Sequence, residues 1–392
     1  MKNFFLKSCN KCMLPETYET FDFDDKGVCN VCNNYNIKLE KIDWNKRMKK
    51  FKELTNEFKN KYEYDCIVPF SGGKDSTFVL YEIVKTHKLK PLVVTFDHGF
   101  FRKKHLENNE RTLKILGVDQ IIFKPDMKIV GMLMLESLIR KGDFCWHCHT
   151  GIFSYPIRAA LQHKVPLIFW GETQSEITAY YQFEDQEIEF EDEKKFNMMR
   201  TLGITADDMY EMIKNKDEID KRDLIPYTFP DANKLKEINY HSAALGNYIP
   251  WDYKKNTEQI IKELGWKVDE VEGVPKDINI YGEKTECFMQ GTRDYIKYLK
   301  RGYGRVTQIN AFNLRKGEKK IDQSDMENQL HDGKKPHSLK IFLEYMGMTE
   351  EEFNQTVSKM IIPPTKSEFN KNEFSKKLND FEEWYREDNS KK

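Results

Sequence analysis

No run of apolar residues in this chain approaches the roughly 20 that a membrane helix requires. The longest stretches, such as Val165-Pro166-Leu167-Ile168-Phe169-Trp170, stop far short, so no helical span of a bilayer is expected. Charge of one sign is also missing. The 63 basic and 64 acidic residues leave a net charge of −1, which gives no global attraction for nucleic acid or for anionic membranes. No internal repeat or low-complexity linker interrupts the sequence. The start, Met1-Lys2-Asn3-Phe4-Phe5-Leu6, has no long apolar region followed by a small-residue cleavage site, so a cytoplasmic location is expected. With hydrophobic residues at 39% and charged ones at 32%, the composition excludes wholesale disorder. A length of 392 residues, at about 150 per domain, points to two or three units.

Cysteine is scarce but patterned. Six of the eight fall in CxxC pairs, and the first four read Cys9-x2-Cys12-x16-Cys29-x2-Cys32. Thiolates two residues apart reach one ion, and two such pairs supply the four corners of a tetrahedral zinc site. A segment of about 40 residues cannot bury enough surface to fold alone, and zinc ligation of about 10–16 kcal/mol supplies the missing stability. Four protein ligands leave no open position, so this Zn²⁺ is expected to be structural. Cys66, inside an apolar strand, reads as a small hydrophobe.

Beyond the ribbon, residues Asp43 to Lys61 carry Trp44, Met48, Phe51, Leu54 and Phe58 at helical spacing. Strand and helix signals then alternate. Asp65 to Phe70, Pro91 to Asp97, Gln120 to Phe123 and Pro166 to Trp170 read as strands. Helices are expected near Lys103 to Leu116, Lys128 to Arg140 and Ile152 to His163. This alternation predicts an α/β fold with a parallel, Rossmann-like sheet whose ligands bind beyond the carboxyl ends of the strands. The expected organisation is a zinc ribbon at 1–40, a connecting helix at 41–62 and a nucleotide-binding domain at 63–250 with an acidic insert near 173–235. A mainly helical region follows at 251–392.

The first strand runs into Ser71-Gly72-Gly73-Lys74-Asp75-Ser76 and then a helix. Two glycines let the backbone fold closely around an anion, and the helix N-terminus adds unpaired N–H groups and a positive dipole end. The GxxxxGK[ST] spacing of a Walker A loop is absent. The hexapeptide instead resembles the PP-loop of the ATP pyrophosphatase superfamily. That resemblance implies that Ser71, Gly72, Gly73, Asp75 and Ser76 line a pyrophosphate site with Mg²⁺. It also places Lys74 and Asp75 in the catalytic machinery. Asp97, in Asp97-His98-Gly99, corresponds to the position that holds adenosine in such enzymes, or else ends its strand in an ordinary turn. Gly171 would lie beside the nucleotide, and Glu172 would meet Mg²⁺, a substrate amine or only solvent.

A third pair, in Phe144-Cys145-Trp146-His147-Cys148-His149-Thr150-Gly151, sits at the edge of a helix, with Cys287 the remaining candidate partner. Cys145, Cys148 and Cys287 suit an iron–sulfur cluster with one open iron, a zinc completed by His147 or His149, or metal-free packing. The stretch 184 to 193, with seven carboxylates, reads as a solvated loop. Further on, Glu286 to Arg301 looks helical, and Arg293, Lys297, Arg301 and Arg305 supply positive charge. Gly302-Tyr303-Gly304-Arg305 suits either an anion-contacting turn or a helix cap. The tail from Lys366 to Lys392 reads as a packed helix.

Taken over nearly the whole chain, the four-cysteine ribbon, Ser71 to Ser76, Phe144 to Gly151 and Tyr248-Ile249-Pro250-Trp251-Asp252 resemble the N-acetyl sugar amidotransferases of surface-polysaccharide biosynthesis, of the pseudaminic acid and LPS B-band O-antigen types. The resemblance implies ATP-dependent conversion of a sugar acetamido group into an acetamidino group. An amide carbonyl is a poor electrophile with a poor leaving group, and adenylation of its oxygen cures both defects. Ammonia would come from glutamine. Lys2 stands where an N-terminal-nucleophile glutaminase would need cysteine, so a separate glutaminase with an ammonia-channelling subunit is expected. The substrate implied is a nucleotide-activated acetamido sugar. Two alternatives stay open: a PP-loop tRNA thiolase, which would use the later cysteines, and a non-catalytic zinc-ribbon interaction protein. Near-neutral charge and the lack of cysteine after Cys287 speak against the thiolase.

Overall fold

The computed structural model describes residues 6–18, 22–171, 193–201, 203–213 and 216–362. Glu172, residues 173–192 at the start of the acidic insert, and the helical tail expected from Lys366 onward lie outside the described residues.

A five-stranded, all-parallel sheet forms the centre, with strand order β3-β2-β1-β4-β5. The strands are β1 (Cys66–Pro69), β2 (Pro91–Phe96), β3 (Asp119–Phe123), β4 (Leu167–Trp170) and β5 (His241–Ala244). Because side chains alternate along a strand, Cys66 and Val68 enter one core while Ile67 enters the other. The first face is covered by helices drawn from both ends of the domain: α2 (Trp44–Phe58), which follows α1 (Asn30–Lys41), then α3 (Lys74–Tyr81) and, much later, α9 (Tyr253–Leu264). Phe51 of α2 packs 5.3 Å, centroid to centroid, from Phe169 of β4. This helix is therefore part of the sheet's cover rather than a bare connector.

Helix α4 (Lys103–Leu116) ends where Gly117 takes φ +65° as its C-cap. Helices α5 (Met127–Lys141) and α6 (Trp146–His163) follow, and α6 covers the second face through Ile157, Ala159 and Ala160. Two short helices, α7 (Ala206–Met212) and α8 (Ala232–Glu237), precede β5.

The last described part is helical: α10 (Gln290–Arg301), α11 (Arg305–Arg315), α12 (Ile321–His331), α13 (Ser338–Met346) and α14 (Glu350–Ser358). Tyr295, Ile296 and Leu299 of α10 share a core with Phe342, Phe353 and Val357, and with Val130, Met134 and Leu138 of α5. This packing anchors the helical region to the sheet domain and holds the segment before α10 at the carboxyl edge of the sheet. Among the described residues, no helix is long and apolar enough to cross a membrane.

Candidate active site and zinc ribbon

At the N-terminus, Cys9, Cys12, Cys29 and Cys32 are all buried and bring their sulfurs within 4.8 Å of one another. The Cys9–Cys32 and Cys12–Cys29 Sγ separations are 3.9 and 3.7 Å. A tetrahedron with Zn–S bonds of about 2.3 Å has edges of about 3.8 Å, so these residues fit Zn²⁺. Backbone N–H groups of Lys11 and Cys29 point to the Cys9 sulfur at 3.4 and 3.3 Å, which stabilises thiolate charge. Cys29 also caps α1, its sulfur accepting from the N–H of Cys32. The ribbon docks on the C-terminal helices: Ala311 joins its small core, and the Thr17 hydroxyl donates to the carbonyl of Arg301 at 2.5 Å.

Strand order reverses direction at β1, which has β2 on one side and β4 on the other, and a crevice opens there at the carboxyl ends. The loop after β1 occupies this place. Gly72 takes φ +80°, and an added Cβ would lie 1.6 Å from Oδ1 of Asn109. Only glycine is compatible with both the angle and the close approach. Gly73 is the N-cap of α3, whose first-turn N–H groups lack intrahelical acceptors by construction. Ser76 Oγ accepts from the N–H of Gly72 at 3.0 Å and lies 3.1 Å from Ser71 Oγ, while Thr77 donates to the Gly72 carbonyl at 3.2 Å. The loop is thus preorganised by its own hydroxyls.

Neighbours from distant segments complete it. The indole of Trp266 donates to the Gly72 carbonyl at 3.2 Å, and His105 bonds the carbonyl of Ser71. Asn109 lies over Gly72 with its Oδ1 unpaired. Although α4 is a polar helix, it turns His105, Asn108, Asn109 and Thr112 inward. Gly171, at the end of β4, faces the same crevice: a Cβ there would lie 3.8 Å from Cβ of Asp75. Asp97 directly follows β2 and accepts the N–H of Gly99 at 2.9 Å, so its carboxylate also serves the turn.

Lys74 is 7% exposed and pairs with Asp75 at 2.5 Å and with Glu283 at 2.9 Å. Burial alone would raise the Glu283 pKa, but the surrounding cations, Lys74 foremost with Lys284 and Arg305, together bring it down to about 2. Glu286 covers Gly73, where an added Cβ would meet its Oε1 at 2.2 Å. Both glutamates sit on a strap tied to the loop after β2: Phe288 N–H donates to Phe100 O at 2.8 Å, and Arg102 N–H to Glu286 O at 3.1 Å. Sequence reading missed Glu283, Glu286, His105 and Asn109. The only available signal was the closeness of the glutamates to Cys287.

The positive charges beyond the strap are internally matched. Arg293 pairs with Asp143 at 3.1 Å, and Arg305 and Lys297 pair with Asp294 at 2.8 and 3.1 Å. Burial lowers the Lys297 pKa to about 8, against the attraction of Asp294. The turn Gly302 to Arg305 does contact an anion, but it is the chain's own Asp332, which accepts from Gly304 N at 2.8 Å. Arg301, in turn, contacts the ribbon at the carbonyl of Thr17.

Cys145, the N-cap of α6, and Cys148 and Cys287 belong to one cluster with Phe144 and Met289. Their sulfurs are not gathered as closely as those of the ribbon, the one such group among the described residues.

Residues 281–382 match the family model described as LPS biosynthesis protein WbpG-like, C-terminal domain, and the match begins at the strap that carries Glu283 and Glu286. The chain is also 31% identical, over 145 residues, to an uncharacterized protein, MJ1599, of Methanocaldococcus jannaschii. That similarity covers 36% of this chain, which spans half the length of the relative. The C-terminal part of the molecule is therefore similar to that of WbpG-like lipopolysaccharide biosynthesis proteins, and it is this part that reaches over the glycine loop.

Proposed function

We propose that the protein is an ATP-dependent, AMP-forming amidotransferase that converts a sugar N-acetyl group into an acetamidino group in surface-polysaccharide biosynthesis. The observation that carries this reading is the SGGKDS loop at the sheet's switch point, covered by the segment similar to WbpG-like proteins. In this reading Ser71, Gly72, Gly73 and Ser76 cradle pyrophosphate, Lys74 and Asp75 act at the reacting phosphates, and Asp97 and Gly171 flank the nucleoside. Mg²⁺ would offset phosphate charge. The ribbon at 1–40, the helix at 41–62, the nucleotide domain at 63–250 and the helical region at 251–392 would divide the work.

The acetamido oxygen attacks the α-phosphorus and pyrophosphate departs. Ammonia then adds to the activated carbon, and AMP leaves with the former carbonyl oxygen while the nitrogen loses a proton. The loop's N–H groups and the α3 dipole favour the departing pyrophosphate. Ammonia would be delivered by a separate glutaminase and channelling subunit, and the acceptor would be a nucleotide-activated acetamido sugar in the cytoplasm.

The test is AMP release from ATP by the purified chain with ammonium chloride and a panel of nucleotide-activated di-N-acetyl sugars, with mass spectrometry of the sugar. AMP formation that depends on both sugar and ammonia, with NH replacing O in the product, supports the reading. AMP formation that requires tRNA and a sulfur donor instead would overturn it in favour of a thiolase.

A further inference from the structure

We propose that Cys145, Cys148 and Cys287 bind a four-iron iron–sulfur cluster beside the glycine loop, leaving one iron without a protein thiolate. The proposal goes beyond amidotransfer and does not depend on it.

Two distant chain segments meet at this place. Cys145 starts α6 and Cys148 follows within its first turn, so both lie at the carboxyl edge of the sheet. Cys287 is brought there by the strap, where it pairs in antiparallel fashion with Phe101. Its neighbour Glu286 covers Gly73, which puts the thiols next to the anion site and not in a remote core. By contrast Cys66 is wholly buried inside β1, as an inert cysteine should be, whereas Cys148 and Cys287 are only partly buried.

The three thiols are spaced more openly than those of the ribbon. A single tetrahedral zinc draws its sulfurs to about 3.8 Å, as the ribbon cysteines show. Cys145, Cys148 and Cys287 belong to one packed cluster, and their sulfurs do not all lie within 4.8 Å of one another. A cubane ligates each cysteine at a different iron and so holds its sulfurs further apart than one ion does.

The surroundings suit an anionic cluster. Asp143 accepts the N–H of Cys145 at 2.8 Å and holds the half-buried Arg293 guanidinium at 3.1 Å, placing a cation beside the thiols. His147, between the two α6 cysteines in sequence, is 2% exposed, and neither ring nitrogen makes a hydrogen bond. A buried polar group of this kind calls for a partner.

The experiment uses the full chain, purified anaerobically and reconstituted with ferrous iron and sulfide, with iron, sulfide and zinc measured together. About four irons per chain with broad visible absorption are expected, above about one zinc in the ribbon. C148S and C287S should reduce iron to background and keep the zinc, while C66A should keep both. Retained zinc and an unchanged circular dichroism spectrum show that a variant has folded. Cys287 lies on a partly exposed strap, so C287S remains informative if a variant in α6 does not fold. Iron unaffected by C287S, or about two zincs and no iron in the wild type, would overturn the proposal.

Discussion

The ammonium of Lys74 lies 2.9 Å from the carboxylate of Glu283, across more than half the chain, and this pair joins the helix after the glycine loop to the strap that opens the WbpG-like segment. The carboxylate and a bound polyphosphate would draw on the same cation. Glu283→Gln should therefore tighten ATP binding by about three- to tenfold, whereas Lys74→Met should weaken it by about tenfold or more. Isothermal titration of both variants checks this. Unchanged affinity in both would remove Lys74 from the nucleotide site.

The same pair has a pH signature. The Glu283 pKa falls from 4.5 to about 2 on folding, because Lys74, Lys284 and Arg305 together outweigh the effect of burial. A carboxylate with a depressed folded pKa contributes stability that is present above its unfolded value and lost as pH falls through the folded one. Glu283→Gln should lower stability at neutral pH and flatten the acid limb between pH 4.5 and about 2. Denaturant midpoints measured across that window decide the matter, and parallel wild-type and variant curves would contradict it.

Gly72 should tolerate no side chain. Gly72→Ala would place a Cβ at φ +80° and 1.6 Å from Asn109, so the loop must unwind or Asn109 must leave. The left-handed angle alone costs about 1–2 kcal/mol, and loss of ATP binding should exceed what the drop in stability explains. Paired melting and binding measurements separate the two effects.

Zinc should hold the ribbon, not the nucleotide loop. Cys12→Ser is expected to lose the metal and lower the melting temperature, because the ribbon docks on Arg301 and Ala311. ATP affinity should change by less than about twofold, since the ribbon ligands belong to a core separate from that of the loop. Metal analysis and titration of the same sample would show it.

Much of this architecture could be read from the residues. CxxC spacing located the four gathered cysteines, and SGGKDS between a strand and a helix located the loop, because both signals are local. The β5 strand escaped notice since His241-Ser242-Ala243-Ala244 has no branched apolar residue and is defined by pairing with β4. Glu283 and Glu286 escaped for a related reason: their roles depend on contacts with Lys74 and Gly73, more than two hundred positions away. His105 and Asn109 were hidden in a helix whose buried face is polar, which hydrophobic periodicity does not reveal. The positive residues of α10 looked available for a ligand, yet Asp143 and Asp294 engage Arg293 and Lys297.

The most direct measurement follows the acetamido oxygen. With a nucleotide sugar carrying ¹⁸O in its acetamido carbonyl, ATP and ammonia, amidotransfer through an adenylated amide predicts that the label appears in the phosphate of AMP. Label retained in the sugar, or released as water with unlabelled AMP, would contradict it.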